Sequence, residues 1–194
     1  ARAVTINGTR GVVVDLVKTN PVGWSTSRPA FSGNPTDAII YELHIRDLSM
    51  DISSGVSKAN QGKYLAFTEA ATSYKKSKTA ISAIKDLGVT HVELLPIFDF
   101  ASVDEKKPTF NWGYDPMNFN APEGSYSSNP ANPSLRIKEL KRAIQSLHDN
   151  DLRVNMDVVY NHVYDASRFS EELIVPGYFF RTDDGGNLTN GSGC

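Results

Sequence analysis

From residue 38 onward, the spacing of hydrophobic residues alternates between the patterns of strands and helices. Three short runs rich in β-branched residues predict strands at residues 38–45, 89–97 and 152–157. Between them, apolar residues recur every three or four positions over residues 76–87 and 134–150, which predicts two helices. The third run continues into Val158 and Val159, a pattern typical of a strand buried on both faces. The order β-α-β-α-β predicts an α/β fold with a parallel sheet.

Residues that start and stop helices support both helical assignments. Asn132 is suited to cap the second helix and Pro133 to occupy its first position, while Gly88 follows the first helix as a stop signal. The second helix is predicted to bury one apolar stripe and to turn its lysines and arginines toward solvent. That stripe consists of Ile137, Leu140, Ile144 and Leu147.

The first 37 residues have a different character. Prolines, glycines, serines and asparagines are dense between positions 20 and 35. Such a density favours an extended linker or surface arm over a packed element. Only the valines at positions 12–14 have the pattern of a short strand. We therefore predict a linker arm at residues 1–37, followed by the α/β unit at residues 38–194.

The connections from strands to helices are far longer than those from helices to strands. About thirty residues separate the first predicted strand from its helix, and about thirty-five separate the second from its own. Most such loops have only about 2–6 residues. Both long loops leave the carboxyl ends of parallel strands, which is the face where (β/α) barrels bind ligands. This asymmetry predicts a binding face at that edge of the sheet.

The second long loop, at residues 98–126, combines aromatic rings with side-chain amides and carboxylates. An aromatic ring can cover the C–H face of a sugar while polar groups bond its hydroxyls, so this composition favours sugar recognition. The alternative is that the rings form a small core for the loop itself, above all Phe98, Phe100 and Phe119. That alternative is weaker for residues 112–116, where a glycine and a proline hold the aromatics in a tight turn. The seven rings are Phe98, Phe100, Phe110, Trp112, Tyr114, Phe119 and Tyr126.

Three polar residues lie at or just beyond the end of the third predicted strand: Asp157, Asn161 and His162. A carboxylate at the end of a buried strand is costly unless it is hydrogen-bonded or used. In α/β proteins this is also where ligands bind. The alternative is structural, with Asp157 capping a turn and His162 acting as an ordinary loop histidine. Spacing alone leaves both interpretations open.

Composition excludes several classes of function. The net charge is −2, which gives no electrostatic basis for binding nucleic acid or an anionic membrane surface. No stretch approaches the roughly 20 apolar residues of a membrane span. The single cysteine, Cys194, excludes an internal disulfide framework and a cysteine-based metal site. Localisation stays open.

Several stretches resemble one known family. Residues 157–162 (DVVYNH) resemble the first conserved region of the α-amylase family of glycoside hydrolases, at the end of barrel strand three. Residues 110–116 (FNWGYDP) are similar to the heptapeptide of its pullulanase branch, with Phe110 in place of the usual tyrosine. Further stretches resemble type I pullulanases, and the arm resembles their link from a carbohydrate-binding module to the barrel. These stretches are residues 41–44 (YELH), 46–47 (RD), 91–96 (HVELLP), 118–126 (NFNAPEGSY) and, in the arm, 10–15 and 19–24.

The resemblance implies a partial (β/α)8 TIM barrel that comprises strands one to three and is preceded by the linker arm. A retaining glycosidase needs two carboxyl groups about 5–5.5 Å apart, and in this family they follow barrel strands four and five. Arg181 and Asp183 have the spacing of the family's nucleophile motif, but they follow Asp157 too closely for another helix and strand. We predict a loop there. We therefore expect no catalytic residue and no activity in this chain alone, which we interpret as a fragment of a larger enzyme.

Carried over residue by residue, the resemblance gives roles to the polar cluster. Tyr114 becomes the stacking platform under the sugar at the cleaved bond, and His162 donates to the hydroxymethyl oxygen of that sugar. Asp157 becomes a carboxylate that supports the binding network. Asn161 holds the loop and, in some relatives, helps to bind calcium. The sequence shows no calcium site here, so no metal and no cofactor are predicted.

Two further residues of the heptapeptide belong to the predicted sugar-binding set. Asp115 either braces Tyr114 or contacts sugar, and Trp112 adds a ring on the same turn. The predicted partners are an α-glucan and the remainder of the barrel, in the same polypeptide or as a second chain.

The implied function is that of a starch-debranching hydrolase that cleaves α-1,6-glucosidic bonds in pullulan and branched α-glucans with retention. Two alternatives remain. One is another specificity of the α-amylase family, such as glycogen debranching or α-1,4 hydrolysis. The other is a non-catalytic carbohydrate-binding chain. A flavodoxin-like domain is disfavoured because no glycine-rich phosphate loop follows the first strand.

Overall fold

A computed structural model describes residues 3–191 and residue 193, so Cys194 lies outside the described residues. The strands in chain order are β1 (Ala3–Val4), β2 (Gly11–Val12), β3 (Ile40–Leu43), β4 (Ser73–Tyr74), β5 (Ser77–Lys78), β6 (His91–Leu94), β7 (Phe98–Phe100), β8 (Pro116–Pro122) and β9 (Arg153–Met156). The helices are α1 (Ala80–Asp86), α2 (Pro133–Asp149) and α3 (Ser170–Ile174). Within the described part, no helix is both long and apolar enough to cross a bilayer.

A parallel sheet in the order β3-β6-β9 forms the centre of the molecule. One face is apolar: Val92 and Leu94 of β6 are buried in a core that α1 and α2 cover with Ile81, Ile84 and Leu147. The alternation of side chains along a strand places the neighbouring residues on the opposite face. The three strands lie at the predicted positions, and each is shorter than predicted.

The prediction that the third strand is buried on both faces is wrong. β9 ends at Met156, and both Met156 and Val158 are about two-fifths exposed. β9 pairs only with β6, so in the described part of the chain it forms an edge of the sheet. A β-branched run indicates a strand suited to burial, but it does not supply the neighbours that bury it.

The second predicted helix is confirmed, with a correction to its polar side. The Asn132 side chain accepts from the Leu135 backbone N–H at 3.1 Å, and Pro133 begins α2. Two charged residues of this helix, Arg136 and Glu139, are buried and not turned to solvent. Their burial is stable only because each has charged or hydroxyl partners. A spacing rule cannot detect those partners, because they come from distant parts of the chain.

The first predicted helix begins four residues later than expected. Ser77–Lys78 pairs instead with Ser73–Tyr74 as a small antiparallel ladder, and α1 starts at Ala80. The helix ends at Asp86, one residue earlier than predicted, and Gly88 follows as the predicted stop, with a φ of +72° that suits a residue without a side chain.

The N-terminal arm is in contact with the α/β unit. β1 and β2 pair as a hairpin, and Ala3 and Val4 are buried. Farther along the arm, the Lys141 ammonium of α2 donates to the Leu16 carbonyl oxygen at 3.0 Å and to Asn20 Oδ1 at 2.6 Å. The density of turn residues did not predict these contacts with α2, because their partners lie more than a hundred residues away. A domain boundary at residue 37 stays a prediction.

The second long loop contains its own antiparallel pair, β7 and β8, which the sequence did not predict. Phe98 and Phe100 are buried, so for these two rings the loop-core alternative holds. Phe119 is half-buried and packs edge-on against Tyr160 and Phe169.

The region around Arg181 and Asp183 forms a turn, as predicted. Thr182 bridges to Leu188, and the Asp183 backbone N–H donates to the Asn187 carbonyl oxygen at 2.9 Å.

Candidate functional site

The carboxyl ends of the three central strands meet at one edge of the sheet, and the turn at residues 110–116 lies across that edge. His44 directly follows β3, and its Nε2 lies 2.8 Å from the Asn111 carbonyl oxygen of the turn. Asp157 directly follows β9, and it accepts a hydrogen bond from the Tyr114 hydroxyl at 2.5 Å. Two of the three strands thus hold the turn through side chains placed just beyond their last residues.

The strand between them, β6, restricts the conformation of the turn backbone. Pro96, just after β6, places its carbonyl oxygen only 2.7 Å from where a Cβ on Gly113 would stand. Gly113 has a φ of +89°, which also favours glycine. Its N–H donates to Asn111 Oδ1 at 2.8 Å, so the asparagine side chain closes the turn on itself.

Tyr114 is an exposed aromatic residue of the site. Its side chain is 42% exposed while its hydroxyl is bonded to Asp157. Partial burial, the hydrogen bond to Asp157 and the nearby carboxylates raise the pKa of Tyr114 to about 12, so the hydroxyl keeps its proton at neutral pH. A neutral phenol donating to a carboxylate is a charge-assisted hydrogen bond, and it fixes the ring in one orientation.

His162 contacts the backbone of Tyr114. Its Nε2 lies 2.6 Å from the Tyr114 carbonyl oxygen, which can only accept, so Nε2 carries the hydrogen. Its Nδ1 lies 3.1 Å from the Asn161 amide nitrogen, which donates to it. Tyr114 is therefore bonded at its hydroxyl and at its backbone. The predicted donation from His162 to a sugar stays a prediction, since here Nε2–H is directed at Tyr114.

Asp115 and Trp112 lie on the same turn with different surroundings. Asp115 Oδ2 accepts from the Ser102 backbone N–H at 2.7 Å, and this contact braces the turn against the loop that precedes it. Its role in binding sugar stays a prediction. Trp112 is 58% exposed, and its ring meets Phe110 edge-on at 5.1 Å. The rings of Trp112 and Tyr114 are thus both accessible.

A polar row runs across the sheet beside Tyr114. Glu42, Glu93 and Asn155 lie opposite one another in the register of β3, β6 and β9. The Asn155 amide donates to Glu93 Oε2 at 3.4 Å. Glu42 and Glu93 both contribute to the raised pKa of Tyr114, which places these carboxylates on its side of the sheet. Both glutamates lie within the strands predicted at residues 38–45 and 89–97.

His44, which touches the turn, and Tyr126, which touches His44, had no assigned role in the sequence analysis. His44 and Tyr126 are both buried, and the Tyr126 hydroxyl lies 3.0 Å from His44 Nε2. Both belong to stretches that carry the family resemblance. One local signal existed for His44: it lies at the carboxyl end of the strand predicted at residues 38–45, on the binding face.

A second polar cluster lies beneath the loop. Asp99, Glu105 and Glu123 each offer an oxygen within 4.8 Å of the others, the spacing of a metal site. Arg136 enters the same cluster, with Nη2 2.6 Å from Glu105 and Nη1 3.5 Å from Asp99. The N-terminal hairpin closes the cluster, because the Asn7 backbone N–H donates to Glu105 Oε2 at 2.8 Å.

Protons balance the charge of this cluster at neutral pH. Burial, followed by neighbouring carboxylates, raises the pKa of Glu123 to about 8. Burial also raises the pKa of Asp99 to about 7, despite the opposing hydrogen bond from Asn118. One arginine and the bound protons therefore compensate the three carboxyl groups. The cluster joins the loop, α2 and the N-terminal hairpin through ion pairs and hydrogen bonds.

Comparison with known proteins identifies the class of this fold and site. The model of the α-amylase catalytic domain matches residues 79–177, which is half of the chain. The chain belongs to the α-amylase catalytic-domain family. It corresponds to part of that catalytic domain and has mixed α/β content.

Individual relatives narrow the likeness to pullulanases. The chain is 50% identical to the pullulanase of Bacillus subtilis (strain 168) over its whole length, and it spans 26% of that protein. It superposes with a TM-score of 0.93 and 50% identity on 31% of the Paenibacillus barengoltzii pullulanase chain crystallised with maltohexaose and α-cyclodextrin. Isoamylase 3 of rice is 32% identical over 76% of the chain. The resemblance to type I pullulanases is confirmed, and the chain spans about a quarter of the curated relatives' length.

The buried carboxyl groups predict a pH dependence of stability. In the folded state the pKa values of Asp99 and Glu123, about 7 and about 8, lie above the ordinary values of 3.8 and 4.5. Between the ordinary and the raised pKa of each group, the folded state therefore binds more protons than the unfolded state. Their contribution to the free energy of unfolding therefore falls as the pH rises from about 4 to about 8 and is constant above it. We expect Asp99→Asn to flatten this slope in thermal unfolding of the intact protein between pH 4 and pH 7, the interval between the ordinary and the raised pKa of Asp99. An unchanged slope would contradict the raised pKa of Asp99, whatever the variant's absolute stability.

Proposed function

We propose that the protein containing this chain is a starch-debranching glycoside hydrolase that cleaves α-1,6-glucosidic bonds in pullulan and branched α-glucans with retention of configuration. The observation that carries the proposal is the hydrogen-bonded series Asp157–Tyr114–His162 at the carboxyl edge of the parallel sheet. It holds an exposed aromatic ring rigidly at the edge where α/β enzymes bind their ligands. The similarity to pullulanases supplies the substrate class.

The arrangement suits a sugar for physical reasons. The Tyr114 ring offers a flat apolar surface for the C–H face of a pyranose, and Trp112 adds a second exposed ring on the same turn. Glu42, Glu93 and Asn155 bring polar groups to the same side of the sheet, where hydroxyl groups need partners. Because Tyr114 is already fixed at two points, little conformational entropy is lost when a sugar packs on it.

In this proposal the chain forms strands one to three of a (β/α)8 TIM barrel at residues 38–194. Residues 1–37 link the barrel to an upstream module. The nucleophile and the acid/base follow later strands, outside this chain. Hydrolysis with retention uses these two carboxyl groups in a double displacement through a covalent glycosyl-enzyme intermediate. Tyr114, Trp112, Asp115, Asp157 and His162 bind and orient the sugar, and Asn161 supports the loop.

The remaining parts of the proposal concern partners. The substrate is an α-glucan, and the rest of the barrel covers the free edge of β9, in the same polypeptide or in a second chain. The proposal requires no metal or cofactor in the chemical step, and it involves neither nucleic acid nor membrane.

Substitutions of Tyr114 test the assignment in the full-length protein. Tyr114→Ala removes the stacking surface, and we expect kcat/KM for pullulan to fall about 100-fold, because the ring also positions the sugar in the transition state. Tyr114→Phe keeps the ring and loses only the bond to Asp157, so a loss of about three- to tenfold is expected. Steady-state kinetics on pullulan measure both. Equal losses for the two variants would assign the effect to the hydroxyl and reject stacking, and no loss in Tyr114→Ala would reject the site.

The similarity to isoamylase 3 of rice favours one alternative, another debranching specificity of the same family. Rates on pullulan, glycogen and linear amylose separate the candidates. A preference for pullulan supports the proposal, while a preference for glycogen or amylose would replace the substrate assignment and leave the family unchanged.

A non-catalytic binding role makes a different prediction about the chain by itself. The free edge of β9 and the exposed side chains near it leave a lone chain with unpaired backbone groups, which favour association. We expect the isolated 194 residues to aggregate or to melt without cooperativity, as size-exclusion chromatography and calorimetry would show. A monodisperse chain that melts cooperatively and binds maltotriose unaided would instead favour the non-catalytic role.

A further inference from the structure

His44 is buried at the end of β3 and makes its polar contacts with three parts of the chain. Its Nε2 lies 2.8 Å from the Asn111 carbonyl oxygen and 3.0 Å from the Tyr126 hydroxyl. Its Nδ1 lies 3.4 Å from the Asp47 backbone nitrogen. The ring also packs against Phe110, with 5.0 Å between ring centroids. A buried imidazole therefore lies directly under the turn that displays Tyr114.

The partners determine which nitrogen carries the hydrogen. The Asn111 carbonyl oxygen can only accept, so Nε2 must donate. The Asp47 N–H can only donate, which leaves Nδ1 as the acceptor in the neutral ring. Burial raises the pKa of Tyr126 far above its ordinary value, so that hydroxyl keeps its own proton. Its oxygen then accepts a share of the Nε2 hydrogen, since Nε2 has no lone pair to offer.

The Nε2–H group of His44 is connected to Tyr114 through a short series of contacts. His44 fixes the backbone of Asn111, and the Asn111 side chain in turn accepts from the Gly113 N–H at 2.8 Å. Because Gly113 has no side chain, Pro96 can approach it closely and its backbone can keep a positive φ. Tyr114 follows directly, and its hydroxyl meets Asp157. A shift of the Asn111 carbonyl would therefore move the ring away from Asp157.

We infer that His44 is a positioning residue for substrate: its Nε2–H fixes the Asn111 carbonyl and so sets the position of the Tyr114 ring at the sugar site. This inference rests on the proposed function for its effect on turnover, but the structural part stands without it. His44 itself touches no substrate. Its contribution is to hold the turn before the sugar arrives, which lowers the cost of forming the productive geometry.

Two substitutions of similar polarity separate this role from simple filling of space. The amide nitrogen of a glutamine at position 44 reaches about as far as Nε2, whereas that of an asparagine reaches only about as far as Nδ1. We expect His44→Asn to lower kcat/KM for pullulan about tenfold in the full-length protein, and His44→Gln to stay within about threefold of the wild type. Thr72→Val serves as a control, because it removes a buried hydrogen bond to Thr79 that is remote from the turn.

A double-mutant cycle tests whether His44 acts through Tyr114. In a Tyr114→Ala background, His44→Asn should cause no further loss of kcat/KM, because the ring that it positions is gone. Additive losses would overturn the inference. So would equal losses in the asparagine and glutamine variants, which would indicate packing alone.

A second measurement does not depend on activity. Amide hydrogen exchange of a peptide that covers residues 108–118 reports the protection of the Gly113 N–H. We expect about tenfold faster exchange in His44→Asn and little change in His44→Gln. Unchanged exchange in His44→Asn would overturn the inference. If the wild-type protein hydrolyses no α-glucan while the exchange result holds, the proposed function fails and the positioning of the turn by His44 stands.

Discussion

The hydrogen bond between the Tyr114 hydroxyl and Asp157 joins the loop after β6 to the end of β9, and the rest of the site depends on it. The bond is possible only because parallel strands end at the same edge of a sheet. His44 after β3 and Pro96 after β6 constrain the same turn from the other two strands. Three strands that are distant in sequence therefore position one aromatic ring.

The buried charge cluster performs a similar task for the back of that loop. Arg136 of α2 contacts carboxylates from the loop, and the Asn7 backbone at the tip of the N-terminal hairpin bonds to Glu105. Burying these groups is costly unless each finds partners, so the hairpin, the loop and the helix must assemble together. This mutual dependence connects the arm to the loop that carries Tyr114.

The proposed barrel would account for two features of the sheet. The polar row of Glu42, Glu93 and Asn155 and the free edge of β9 lie where a closed barrel would continue. A sheet edge exposes unpaired backbone groups, and further strands of the parent protein would pair with them. The binding surface and the groups that cleave the bond would then come from different stretches of one barrel, which is how this architecture combines recognition and chemistry.

The sequence by itself determined the order of strands and helices, the caps of α2, and the turn that carries Tyr114, because these features depend on local spacing and backbone preference. It also identified Asp157 and His162 as neighbours of one edge, through strand direction and family resemblance. Only the tertiary structure decided that Arg136 is buried, that β7 pairs with β8, that the arm contacts α2, and that His44 donates to Asn111. Each of these depends on partners that lie far apart in sequence or on which chain segments pair. Periodicity records whether a position is apolar, but it does not record which distant group will satisfy a buried charge or carbonyl.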